Sequence, residues 1–146
     1  MLLAFSANGW SAWSMHSCEG ADVYDAKGRT PSDWRILHAL FAKFGCCDKG
    51  GYLSEGFSEA VARLLVDHWN KLDQFVLISE KDPDFKAFVL RHIDATNSMA
   101  DLQRIMELSR EQCPRKGLES CRQIFSSASA ARLELEHTLN QRSKQP

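Results

Sequence analysis

The sequence predicts an all-α fold, on three observations. Apolar residues recur at spacings of three and four through most of residues 31–141, the period of a helix with one buried face. Residues that start and stop helices punctuate that pattern at short intervals. The one β-branched run, Gln74 to Ser79, is flanked by helical pattern rather than by turns. Five or six helices of similar length joined by short turns imply antiparallel hairpins, arranged as a compact bundle or a short helical-hairpin stack. No internal repeat selects the stack. At 146 residues the helices fit one domain, which buries about 68–70% of the surface of the unfolded chain without help from metals or oligomerisation.

Residues 1–29 carry Gly9, Gly20 and Gly28 among Ser, Asn and Asp without sustained periodicity, and they read as an irregular N-terminal arm. The apolar start Met1-Leu2-Leu3-Ala4-Phe5 lacks the basic region and the full apolar stretch of a secretory signal. Two readings stay open for it: apolar side chains tucked onto the body, or the remnant of a signal peptide. The helical domain is expected over residues 30–142. Its first helix has Thr30 as cap and Pro31 in the first turn, with Trp34, Leu37, Phe41 and Phe44 on one face and Gly45 as the stop.

After a glycine-rich connection, Phe57 to Asn70 forms the second helix, with Val61, Leu64, Leu65, His68 and Trp69 at helical spacing and Ser54 or Ser58 as cap. The segment from Lys71 to Ser79 is short and apolar, either a helix of its own or the second helix continued after a bend. Asp82 before Pro83 starts the next helix by cap and fixed φ together, with Phe85, Phe88, Val89, His92 and Ile93 inward. Ser98 and Asp101 approximate a capping box for a helix that Pro114 ends. A long final helix runs from Leu118 to about Gln141, with Cys121, Ile124, Phe125, Ala128, Leu135 and Leu139 on one side. The small residues from Ser126 to Ala131 are expected to belong to an ordinary packed helix; the alternatives are a close helix approach there or, if that face is exposed, a partner-docking surface.

The formal charge of −1 gives no electrostatic drive toward nucleic acid. No segment reaches the length of apolar sequence that a membrane span requires. Five cysteines are many for a reducing compartment. Cys113 and Cys121 enclose a short connection with Pro114 and Gly117, and a bridge between them would contribute about 2.5 kcal/mol in the chain-entropy model. An oxidising location, periplasmic or secreted, is therefore expected. The alternative is a cytoplasmic protein with reduced thiols.

The connection Gly45 to Glu59 is the densest candidate loop, with Cys47, Asp48 and Glu55 as its chemistry-bearing residues. Asp48 and Glu59 stand at the first and twelfth positions of an EF-hand. Gly50, Tyr52 and Leu53 occupy positions where two oxygen ligands and a glycine belong, so calcium is not expected. Vicinal Cys46 and Cys47 lack the spacing of zinc ligands. One of them is expected to tie the connection to Cys18, leaving the other free. The whole connection reads as a structural turn, with Gly45 left-handed and the acids stabilised by a helix N-terminus. The five histidines are scattered, and no two share the spacing that would anchor a metal on one helix. No nucleophile elbow, zincin motif or dinucleotide fingerprint occurs. No catalytic residue, metal or cofactor is expected.

Cys47, Asp48, Glu55, Gly56, Ser58, Asp82, Pro83, Phe88, His92, Cys113, Pro114 and Cys121 give residues 34–124 a pattern that resembles small helical proteins exported by Gram-negative bacteria, a group of unassigned activity. The resemblance implies export and supplies no reaction. The chain departs from that pattern at the added Cys46 and in the length of the glycine connection. The expected function is non-enzymatic binding of another protein, as an exported accessory or an immunity-type inhibitor. The alternative is a small hydrolase or metal-dependent enzyme with a composite site at His68 and His92.

Overall fold

A computed structural model describes Cys18 and residues 30–145. The expectations for the N-terminal arm and for a signal-peptide remnant fall on residues 1–29, which apart from Cys18 lie outside the described residues. The described residues form six α-helices: α1 Trp34–Phe44, α2 Tyr52–Asp67, α3 Leu72–Lys81, α4 Pro83–Arg91, α5 Met99–Glu111 and α6 Leu118–Arg142. Among the described residues there is no strand. The Gln74–Ser79 run lies inside α3, where Phe75 and Val76 are buried.

The helix starts show which local signals decide. Asp33, not Thr30, caps α1, because its Oδ1 accepts from the backbone N–H groups of Arg35 and Ile36 at 3.0 Å each. Pro31 lies ahead of the helix as a buried residue. Asp82 caps α4 through the N–H of Phe85, with Pro83 as the first helical residue. Ser98 and Asp101 form a reciprocal pair at the start of α5. The segment after α2 is a separate helix rather than a continuation: a 3₁₀ turn at Trp69–Lys71 intervenes. Trp69 Nε1 donates to the carbonyl of Gln112 at 2.8 Å, which fixes that turn against the end of α5.

The expected left-handed stop at Gly45 is corrected. Gly45 is right-handed and opens a 3₁₀ turn over Gly45–Cys47. Glycine is needed there for space, since a Cβ would meet the Phe41 ring at 2.7 and 2.9 Å. The positive φ falls instead on Gly50 and Gly51, at 93° and 75°, which reverse the chain into α2. Gly51 is the N-cap of α2 and offers no side chain, so neither Ser54 nor Ser58 caps it.

Trp34, Phe57, Phe75, Phe85 and Phe88 are fully buried, and each side chain contributes about 1.5–3 kcal/mol by leaving water. Trp34 meets Phe75 tilted and Phe57 meets Phe88 edge-on, both at 4.9 Å between centroids. α5 and α6 form the most extensive helix pair, with α2 against α5, α1 against α3, and α4 joining α3 to α6. Ala128 and Ala131 are buried, so this stretch of small residues faces the core rather than solvent. Leu139, expected on the buried side, is half-exposed. Arg63 spans two helices, pairing with Glu59 and Asp67 on α2 and with Asp101 on α5.

Cys113 and Cys121 are bridged across the turn between α5 and α6. That turn seats closely on α3, where a Cβ at Gly117 would stand 3.1 Å from both Pro114 and Val76. A second bridge joins Cys18 to Cys47, and Cys46 is a free, exposed thiol.

The two kinds of glycine around the connection are separable by substitution. Gly45→Ala is expected to lose about 1–3 kcal/mol by forcing Phe41 out of its packing. Gly50→Ala has open space and is expected to lose about 1–2 kcal/mol from left-handed backbone alone. Thermal melts followed by near-UV circular dichroism check this: only Gly45→Ala perturbs the aromatic signal.

Candidate functional site

The only place where the described helices bury a chain of ionisable and hydroxyl side chains is the junction of the connection, α2 and the end of α4. Asp48 follows the 3₁₀ turn, and its side chain is 3% exposed. Its Oδ2 accepts from His92 Nε2 at 2.9 Å and from an Arg91 guanidinium nitrogen at 3.0 Å. His92 closes α4 and presents its other nitrogen, Nδ1, to Ser58 Oγ at 2.8 Å. Ser58 sits in the buried face of α2, one helical turn before Val61, and its hydroxyl also lies 2.6 Å from Asp94 Oδ2.

The turn after α4 is held in the same frame. Asn97, itself buried, donates to the Ser58 carbonyl at 3.1 Å and accepts from the backbone N–H of Asp94 at 3.1 Å. Asp94 Oδ1 accepts from the N–H of Thr96 at 2.8 Å. Two stretches distant in sequence, residues 48–58 and 91–97, therefore meet at one buried imidazole. The edges of the Phe88 and Phe57 rings wall it, with centroids at 4.6 and 5.7 Å.

Burial pushes the Asp48 carboxyl up, but its hydrogen bonds to Arg91 and His92 outweigh this and hold it below the ordinary carboxylate range. Burial pushes the His92 imidazole down, against the pull of Asp48, and leaves it below the ordinary imidazole range. A neutral imidazole facing an ionised carboxylate carries its proton on Nε2 and donates it to Asp48. Nδ1 then holds a lone pair, so the single hydroxyl proton of Ser58 faces two acceptors, Nδ1 and Asp94 Oδ2.

Aspartate, histidine and serine are the residue types of a nucleophilic triad, but here they are built as a clamp. Ser58 is 1% exposed, so its oxygen has no approach for a substrate. The hydroxyl is also shared with Asp94, which competes with the histidine for its proton. None of the four side chains lines the open grooves at residues 69–80 and 109–125.

Of the residues singled out in the sequence, Asp48 and His92 meet in this network and Cys47 stands beside it in the bridge to Cys18. Asp48 is held by side chains of α4 rather than by a helix N-terminus, which corrects the reading of its charge. Glu55 lies exposed in the first turn of α2. His68 is the C-cap residue of α2, ten positions beyond Ser58 and thus about 15 Å away along the axis. The structure does not bring it to His92. Cys113 and Cys121 join at the α5–α6 turn. Sequence reasoning missed Ser58, Asp94 and Asn97 as partners. One signal was present: Ser58 is a polar residue three positions before Val61 and seven before Leu65, on the apolar face.

No protein-family model, curated protein or solved structure matches the chain.

The pH dependence of stability reports on this clamp. With His92 depressed in the folded state, the unfolded chain takes up the proton first, near pH ~6.5. Stability is complete above that value and falls as the pH drops toward the folded pKa. Asp48, also depressed, adds a second loss as the pH falls below about 4 through its folded pKa. Urea midpoints are expected to decline from pH 7 to pH 5, with a shallower decline in His92→Gln; equal slopes in the two proteins would contradict the assignment. Asp48→Ala, which strips a buried N–H of its acceptor, is expected to cost about 1–3 kcal/mol or more at pH 7.

Proposed function

We propose that this protein is a non-enzymatic binding module that docks another protein on the surface around the turn between α5 and α6. One observation carries the reading: among the described residues, three open grooves border that bridged turn. The largest of these three, about 570 Å³, is lined by Asp73, Val76, Leu77 and Glu80 of α3 and by Pro114, Arg115 and Lys116 of the turn. A second runs along Cys113, Leu118, Cys121 and Phe125, and a third includes Gln112 and Pro114. Leu77 and Leu118 are 58% and 55% exposed there.

The chemistry of the largest groove favours a peptide surface as occupant. An apolar floor is flanked on one side by acids and on the other by bases, which suits an amphipathic segment with charges of both signs along its edges. The Cys113–Cys121 bridge holds the turn in one conformation before binding, which lowers the ordering cost of association. The two disulfides and the resemblance to exported Gram-negative helical proteins support a periplasmic or secreted location, with an accessory or immunity-type role against another protein. The enzymatic alternative has less support, because the one acid–base–hydroxyl cluster of the described residues is sealed.

A photo-reactive amino acid placed at Leu77 in the host cell tests the reading. A discrete crosslinked protein is expected, lost at least ~10-fold with Lys116→Glu and retained with Leu133→Asp on the far part of α6. Absence of any crosslink, or a crosslink insensitive to Lys116→Glu, would remove the reading.

A further inference from the structure

Cys18, Cys46 and Cys47 form a cluster that the binding surface does not use. Their three sulfurs all lie within 4.8 Å of one another. Cys46 is free and exposed, and its Sγ touches Cys47 Sγ at 3.6 Å, next to the bond that Cys47 makes with Cys18. A thiol held at van der Waals distance from a disulfide is the starting arrangement for exchange. Cys46 and Cys47 are consecutive residues of the 3₁₀ turn over Gly45–Cys47, which keeps the free thiol next to the bridge.

We propose that this cluster is a thiol–disulfide exchange site in which Cys46 takes over the bridge to Cys18. The Cys46 thiol loses its proton and its thiolate attacks Cys18 Sγ. The Cys46–Cys18 bond forms as the Cys18–Cys47 bond breaks, and the electron pair leaves with Cys47, which takes up a proton. One disulfide and one thiol are present before and after, so no oxidant or reductant enters.

Attack on Cys18 is favoured over attack on Cys47 for a geometric reason. The vicinal product would join residues whose Cα atoms stand about 3.8 Å apart across a trans peptide, below the roughly 4.4–6.8 Å that a disulfide accommodates. The Cys18–Cys47 pair already has a Cα separation of 5.7 Å, and Cys46 Sγ, which lies within 4.8 Å of Cys18 Sγ, must leave its contact with Cys47 and swing behind Cys18 to attack in line. Residue 18 therefore stays tied to the connection while the free thiol moves between positions 46 and 47. In the present arrangement that thiol is at the surface; after exchange it is on Cys47, which is less exposed and adjoins Asp48. The site thus presents or withdraws a nucleophilic sulfur without losing its crosslink.

The test uses the full oxidised chain and two single variants. Each is held at about pH 8.5, where a cysteine thiolate is well populated, then labelled with iodoacetamide, quenched in acid and digested without reduction. The label is located by fragmentation within residues 44–49, which a trypsin digest releases linked through the disulfide to the peptide that carries Cys18. The native chain is expected to carry label at both Cys46 and Cys47. Cys47→Ser is expected to form the Cys18–Cys46 link with no free thiol, and Cys46→Ser to keep Cys18–Cys47 with no label. Label at Cys47 together with a Cys18–Cys46 link in the native chain supports the exchange. Label on Cys46 alone in the native chain overturns it.

Discussion

A carboxylate withdrawn from water must be paired, and the pairing of Asp48 sets the path of the chain around it. Its partners, Arg91 and His92, are consecutive residues at the end of α4, so the connection between α1 and α2 is tied to an element more than forty residues later. The constraint then propagates. His92, fixed on one nitrogen by Asp48, faces Ser58 of α2 with the other, and Ser58 meets Asp94 in the turn that leads to α5. Removing any one member leaves a buried polar group without a partner, which costs more than the net gain from forming the bond.

Apolar packing supplies most of the stabilisation but specifies geometry less sharply than this chain of hydrogen bonds. Phe57, Phe85 and Phe88 would be buried in several helix arrangements. The directional contacts at Asp48, His92 and Ser58 select one of them. His38 plays a smaller version of the same part: its Nε2 meets Asp82 Oδ2 at 2.8 Å, joining α1 to the carboxylate that caps α4. That contact, with the cap bond to Phe85, holds Asp82 below the ordinary carboxylate range.

The molecule separates its inward and outward chemistry over very short stretches. Cys46 is exposed, Cys47 is bridged and the side chain of Asp48 is buried, so three consecutive residues serve solvent, crosslink and core. At the α5–α6 turn the same economy applies. Cys113 and Cys121 brace the turn from within, while Pro114, Arg115 and Lys116 face the largest groove.

Local chemistry made much of the fold legible in the sequence. Asp82-Pro83 and Ser98 with Asp101 mark helix starts because cap and first turn lie within four residues, and the Cys113–Cys121 bridge spans one short turn. Apolar periodicity placed Trp34, Leu37, Phe85 and Phe88 in the core for the same reason: the helix period is a property of the local backbone. Where a nearby alternative competed, sequence alone chose wrongly, as at Thr30 against Asp33. Gly45 was read as a left-handed stop, whereas its lack of a side chain makes room for the ring of Phe41. The meeting of Asp48 with His92, and of Ser58 with Asp94, belongs to tertiary structure alone. Those partners lie 44 and 36 residues apart, and no local period or spacing relates them; only the packing of α2 against the end of α4 brings the acceptor of one within reach of the donor of the other.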